Sequence, residues 1–127
     1  MTQTYVIHID TRVIGYYSLC PGSIERESVV PRILKGIAGH AAIPIILLAR
    51  LAVDLNEHDK GLGPALLKDA FQRAISAAVA IAGRAIVVHA IDDDAVRFHG
   101  HFNFAPSPND DRTLMILMKD VRAMLGA

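Results

Sequence analysis

The stretch LAVDLNEHDKGLGPALL joins an apolar run to an amphipathic one through a turn holding Gly61 and Gly63. Glycines there let the backbone bend with its amides turned inward and let an anion approach with no Cβ in the way. The start of a helix adds partial positive charge, and Lys60 would add a full one. The chemistry on offer is phosphate or pyrophosphate binding, although a turn that merely needs positive φ uses glycine as readily. A nucleotide-hydrolysing loop is excluded, since it needs GxxxxGK followed by Ser or Thr. The dinucleotide fingerprint GxGxxG fails because Leu66 fills the third glycine position. No two of the six histidines stand at i, i+4 on a helix beside a carboxylate, so no metal site is expected. Cys20, the only cysteine, rules out an internal disulfide or a thiolate metal site; it reads as a buried spectator without an obvious base.

The elements around that turn follow from periodicity. TYVIHID alternates and is rich in β-formers; Asp10-Thr11 then leads into RVIGYYSLC, which predicts an N-terminal hairpin. From Pro21 to Pro44 the chain loses regular period and reads as a long loop with a helical turn around Arg32 to Gly36, a length that usually signals function. IPIILLARLAVD is a continuous apolar run and predicts a central strand. After Gly61, the residues Leu67, Ala70, Phe71, Ala74, Ile75 and Ala78 recur at three and four, forming the apolar face of a helix that ends near Gly83. RAIVVHAI predicts a second buried strand, within which His89 reads as a core histidine. Asp92-Asp93-Asp94 supplies an N-cap and negative charge for a short helix running through Phe98. RTLMILM predicts a closing strand after the turn-rich APSPNDD, and VRAMLGA is too short to assign.

With 127 residues the chain has the size of one compact domain, 1–127, and shows no internal repeat. A hydrophobic share of 52% and a mean hydropathy of +0.33 predict a large interior and some apolar surface for a partner. Lys+Arg and Asp+Glu both number 13, so any nucleic-acid contact must come from a local patch. Convergence of Arg26, Arg32, Lys35, Arg50 and Arg97 around one cleft would point to RNA, and scatter to a small acceptor. No apolar run is long enough to cross a bilayer and no signal segment is evident; a cytoplasmic protein with no membrane association is expected.

At His58-Asp59-Lys60-Gly61-Leu62-Gly63 the chain resembles the GNAT acetyltransferases, whose signature is Arg or Gln, two residues, Gly, one residue, then Gly or Ala. VIGYYSLCPGSI, LLARLAVD, KGLGPALLKDA, IVVHAIDDDAVRF and FAPSPNDDRTLMILMKD widen the match to the toxin acetyltransferases of bacterial toxin-antitoxin pairs, in order and over nearly the whole chain. The resemblance implies an α/β (α+β) fold: a mixed, mainly antiparallel sheet with a central splayed strand pair and helices on both faces. It further implies that acetyl-CoA lies between IILLARLAVD and RAIVVHAI. Backbone of Leu51, Ala52 and Val53 would hold the pantetheine arm, and the turn His58, Asp59, Lys60, Gly61, Leu62, Gly63 and Ala65 the pyrophosphate, with Phe98 beside it. Pro64 suits position N1 and removes one phosphate donor. Arg50 and Tyr16 fall on the substrate or partner side.

Two departures from the family stand out. Its usual Phe-Tyr, whose tyrosine protonates the departing thiolate, is here Phe98-His99; His99 becomes the candidate catalytic acid, with the alternative of a helix-surface histidine. Asn103 replaces glycine before Phe104, and asparagine tolerates the left-handed conformation that ends a helix. Toxin-type relatives also begin with a strand and two helices that this chain lacks, which would leave an open sheet edge for a homodimer or a partner strand. The expected function is transfer of acetyl from acetyl-CoA, without a metal, to the α-amino group of an aminoacyl-tRNA, with a cognate antitoxin as a further partner. The alternatives are a small amine or protein N-terminus as acceptor, or a non-catalytic acyl-CoA-binding or antitoxin-binding module.

Overall fold

The computed structural model describes residues 2–9, 12–53, 61–81 and 83–126. Its strands are β1 (Gln3–Ile9), β2 (Arg12–Ile24), β3 (Ile43–Val53), β4 (Ala85–His89), β5 (Ala105–Ser107) and β6 (Asp110–Leu117). Its helices are α1 (Pro31–Leu34), α2 (Leu62–Ile81), α3 (Asp93–His101) and α4 (Met118–Met124). The strands form one sheet in the order β1-β2-β3-β4-β6-β5. Among the described residues only β3 and β4 run parallel, joined by the α2 crossover; every other pairing is antiparallel. Among the described residues no helix is long and apolar enough to cross a membrane.

Alternation along the strands divides the core between the two faces. On the first face Leu19, Ile46, Leu48, Ile86, Val88, Leu114 and Ile116 pack under α2, which contributes Leu66, Leu67, Ala70, Phe71, Ala74 and Ala78, all buried. Full burial of side chains such as Leu66, Leu67 and Phe71 stabilises by roughly 1.5–3 kcal/mol each. The first half of α4 seals the same face with Met118 and Val121. On the second face Ile43, Ile45, Ala85, Val87, Met115 and Leu117 are covered by Val29 and Ile33. The segment before Pro44 therefore covers the second face of the sheet. Extended pairing of β2 carries on to Ile24, and the rest is pinned by two arginines. Arg26 donates to the carbonyls of Ile37, Ala38 and Gly39, and Arg84 to those of Ile33 and Lys35. Arg32 pairs with Asp120 and ties α1 to α4.

A polar cluster fastens the β1-β2 hairpin to α2. Tyr5 and Tyr17, register partners, stack at 5.1 Å, and the Tyr17 hydroxyl donates to Asp69. Burial and this carboxylate together hold the phenol proton more tightly than usual. Arg73 bonds the same carboxylate at 3.2 Å and lies 4.2 Å over the Tyr5 ring.

The sheet is irregular at one consequential point. Ser18 pairs with Arg50 and Leu19 with Leu48, so Ala49 is an extra residue, a β-bulge in β3. Before the bulge Ile46 and Leu48 face α2; after it Leu51 does. Arg50 is thereby turned to the opposite, open side and is exposed, which is how a charge stands inside an apolar run without a buried partner.

Candidate active site

The bulge also marks where the two parallel strands part. Pairing of β3 with β4 ends at Leu48 and Val88, while β3 continues to Val53. The notch between them is a cavity of about 240 Å³ walled by Ala49 to Ala52 on one side and Val88 to Asp92 on the other, with Tyr16, Ala95 and His99 completing it. Among the described residues, backbone groups of β3 beyond Leu48 that turn away from β2 have no strand to pair with on that side, which is what an extended amide-bearing ligand needs.

The first turn of α2 packs on α3 through Gly63 and Phe98, the residue before His99 of the notch. Gly61 has φ +74°, a left-handed conformation that glycine adopts without cost. The amide of Ala65 is already spent on the carbonyl of Gly61 at 3.3 Å. Pro64 is the third helical residue, not the first as expected from sequence, and brings no N–H. Among the described residues the amides of Leu62 and Gly63 are therefore the first-turn donors left to an anion. Gly63 has a second reason to be glycine: a Cβ there would lie 3.3 Å from the Phe98 ring. Phe98 thus packs α3 against the turn. His58, Asp59 and Lys60 lie outside the described residues, as does Asp10-Thr11.

The helix α3 begins as expected: Asp92 accepts from the amide of Ala95 at 2.8 Å, with Asp93 and Asp94 in the first turn. It runs three residues past Phe98 and stops at Asn103, whose φ is +74°. The amides of Asn103 and Phe104 return to the carbonyls of Gly100 and His99, at 3.1 and 3.2 Å, the double bond pattern of a Schellman end. The apolar contact that accompanies such an end is Phe104 against the His99 ring, at 5.1 Å, with Phe98 edge-on at the same distance on another side.

His99 is consequently not a surface histidine; it is 5% exposed, lines the notch and has an Nδ1 atom with no hydrogen-bond partner among the described residues. Removal from water pushes its pKa down to about 4. At pH 7 the imidazolium then amounts to about one molecule in a thousand. The ring is a neutral group with one N–H to offer, not a charged acid.

His89 departs from its expected place in the core. It is exposed, lines the same notch, and its Nδ1 lies 3.0 Å from Thr113 Oγ1. Thr113 in turn donates to Asp110 at 2.9 Å. The strand register that brings His89 beside Thr113 has no signature in either strand alone. Tyr16 lines the notch while Tyr17 is buried beneath α2, as alternation requires. Of the five cations whose convergence would mark an RNA cleft, only Arg50 lines the notch. Arg26 and Arg32 are committed to the cover, and Arg97 pairs with Asp94. Cys20, read as buried, is half-buried, with Sγ 3.3 Å from the Pro21 carbonyl oxygen.

No family profile matches the chain. A tRNA-acetylating toxin of Mycobacterium tuberculosis (strain ATCC 25618 / H37Rv) is 44% identical over 125 residues, spanning 98% of this chain and 74% of the relative. Among solved structures, AtaTR bound with acetyl-CoA superposes with a TM-score of 0.80 at 26% identity, over 98% of this chain and 74% of that one. A point mutant of the AtaT toxin bound to the C-terminus of the antitoxin AtaR gives the same TM-score and identity, over 98% and 71%. The splayed strands, the glycine turn beside them and these likenesses agree: the chain belongs to the family of tRNA-acetylating toxins, acetyltransferases with the GNAT fold.

Proposed function

We propose that the chain moves acetyl from acetyl-CoA to the α-amino group of an aminoacyl-tRNA, in the cytoplasm, as the toxin of a toxin-antitoxin pair. The observation that carries this reading is the notch opened by the Ala49 bulge, with an imidazole nitrogen in its wall that is buried and, among the described residues, unpartnered. Acetyl-CoA fits it as substrate: pyrophosphate on the amides of Leu62 and Gly63, pantetheine along Leu51, Ala52 and Val53, thioester between β3 and β4. Direct attack by the amine needs neither a metal nor a covalent enzyme intermediate. His99, on the α2 side of the sheet, gives its N–H to the departing sulfur as a neutral donor. Arg50 and Tyr16 face the acceptor on the other side.

The lack of convergence among the basic residues favours a second reading, a small amine or a protein N-terminus as acceptor. The curated relative weighs on the side of tRNA. β1, at the edge of the sheet, is the place we assign to a second copy or an antitoxin strand.

The test is calorimetric titration with acetyl-CoA of the chain and of a variant carrying Gly61→Leu and Gly63→Leu. Micromolar affinity, about −8 kcal/mol, is expected for the parent and none for the variant. Labelled acetyl is then offered to aminoacyl-tRNA and to small amines; steep salt dependence marks the tRNA. A folded parent that binds no acetyl-CoA would refute the reading.

A further inference from the structure

We propose that His89 is the catalytic base of this site, the group that takes the proton from the acceptor ammonium, and that Thr113 and Asp110 are its positioning residues. The inference deepens the acetyl-transfer reading and rests on it.

The chain of hydrogen bonds fixes the tautomer. A carboxylate only accepts, and nearby donors from Arg112 and Thr113 hold Asp110 below the usual carboxylate range, so it stays ionised. Thr113 has a single hydroxyl proton and gives it to Asp110 at 2.9 Å. The 3.0 Å contact between Thr113 Oγ1 and His89 Nδ1 can then be made only with the proton on Nδ1. Nε2 is left with its lone pair. A ring nitrogen oriented in this way, on an exposed residue lining the notch, is what a general base requires.

The ring also stands on the correct side of the sheet. Ala85 and Val87 precede His89 on the face away from α2, and Arg50 is turned to that same face by the bulge. His99 packs on the α2 face. The thioester would thus lie between the two histidines, with sulfur toward His99 and the acceptor arriving beside His89.

The step balances. The acceptor ammonium gives one proton to Nε2, its nitrogen lone pair attacks the thioester carbonyl carbon, and the C–S bond breaks with its electron pair on sulfur. The second proton lost by the nitrogen ends on that sulfur, giving the amide and the free thiol, and Nε2 returns its proton to water.

The decisive experiment compares the parent chain with His89→Ala in acetyl transfer across pH. The other groups in the notch that must be held constant are Arg50, Tyr16, Asp92 and His99, with Asp110 behind Thr113. The expected result is a kcat about 100-fold lower with acetyl-CoA affinity unchanged. The variant's rate should climb with pH as the amine loses its own proton, and added imidazole should restore part of it. Thr113→Val should lower kcat about ten-fold at unchanged acetyl-CoA affinity, and Thr113→Ser should recover it. Equal kcat and equal pH profile for parent and His89→Ala would overturn the assignment, as would a loss that is the same at every pH and indifferent to imidazole. A parent that transfers acetyl to no acceptor would remove the underlying reading, and this inference with it.

Discussion

His89 and His99 border one cavity and differ in nearly everything else. His99 is buried between two phenylalanines, clamped by the end of α3, and carries a ring nitrogen with no partner among the described residues. His89 is open to water and joined through Thr113 to a carboxylate. Desolvation makes the first a neutral ring over the whole physiological range, whereas hydrogen bonding sets the proton position of the second. The lesson is that residue type and closeness to a site do not assign acid and base; the groups behind each ring do.

The largest way to break this comparison is acid. Between pH 6.5 and about 4 the unfolded chain binds a proton at His99 that the folded chain refuses. Stability is full above pH 6.5 and falls as pH drops through that window, by about 3 kcal/mol in all. Asp110 and Asp120, held low by their partners, titrate below the usual 3.8, so their acid losses fall lower still. Denaturant unfolding at pH 7 and pH 4.5 should therefore show a drop in the parent that His99→Phe largely lacks. Equal drops would mean the ring is not desolvated.

Kinetics sharpens the same contrast. Under conditions limited by chemistry, His99→Ala should lower kcat about ten-fold, the loss of one hydrogen bond to a developing charge, without changing the shape of the pH profile. His99→Tyr should exceed the parent, because a phenol both reaches further and carries an acidic proton. If Ala and Tyr variants both match the parent, His99 does not touch the leaving sulfur. The smallest effect belongs to the neighbouring tyrosine pair: Tyr17→Phe, which loses the bond to Asp69, should cost about 1 kcal/mol of stability and leave acetyl-CoA affinity unchanged.

Most elements were legible because each has its own local code. The apolar face of α2 repeats at three and four, the Asp92 cap precedes α3, and Asn103 supplies its left-handed end. The glycine turn was legible too, though its second glycine, Gly63, also leaves room for the Phe98 ring. What could not be read were relations between distant segments. The Asp110-Thr113-His89 chain depends on the register of β4 against β6, and the Tyr5-Tyr17-Asp69-Arg73 cluster joins a hairpin to a helix some fifty residues later. His89 was misjudged for a related reason: β4 is buried as far as Val88, and the strand outlasts the sheet's cover by one residue. The long excursion before Pro44 lacks a period because it is held by arginine-to-carbonyl bonds instead of by an element of its own.

The extra residue at Ala49 acts on the strand as a frameshift acts on a reading frame. Everything downstream keeps its order and changes its parity, so that one bulged alanine, with no chemistry of its own, leaves Arg50 on the open side and Leu51 on the core. Deleting Ala49 would only remove the bulge and leave Arg50 and Leu51 on their present sides, whereas straightening the strand with Ala49 kept would exchange them, sending Arg50 beneath α2 and Leu51 into the cleft.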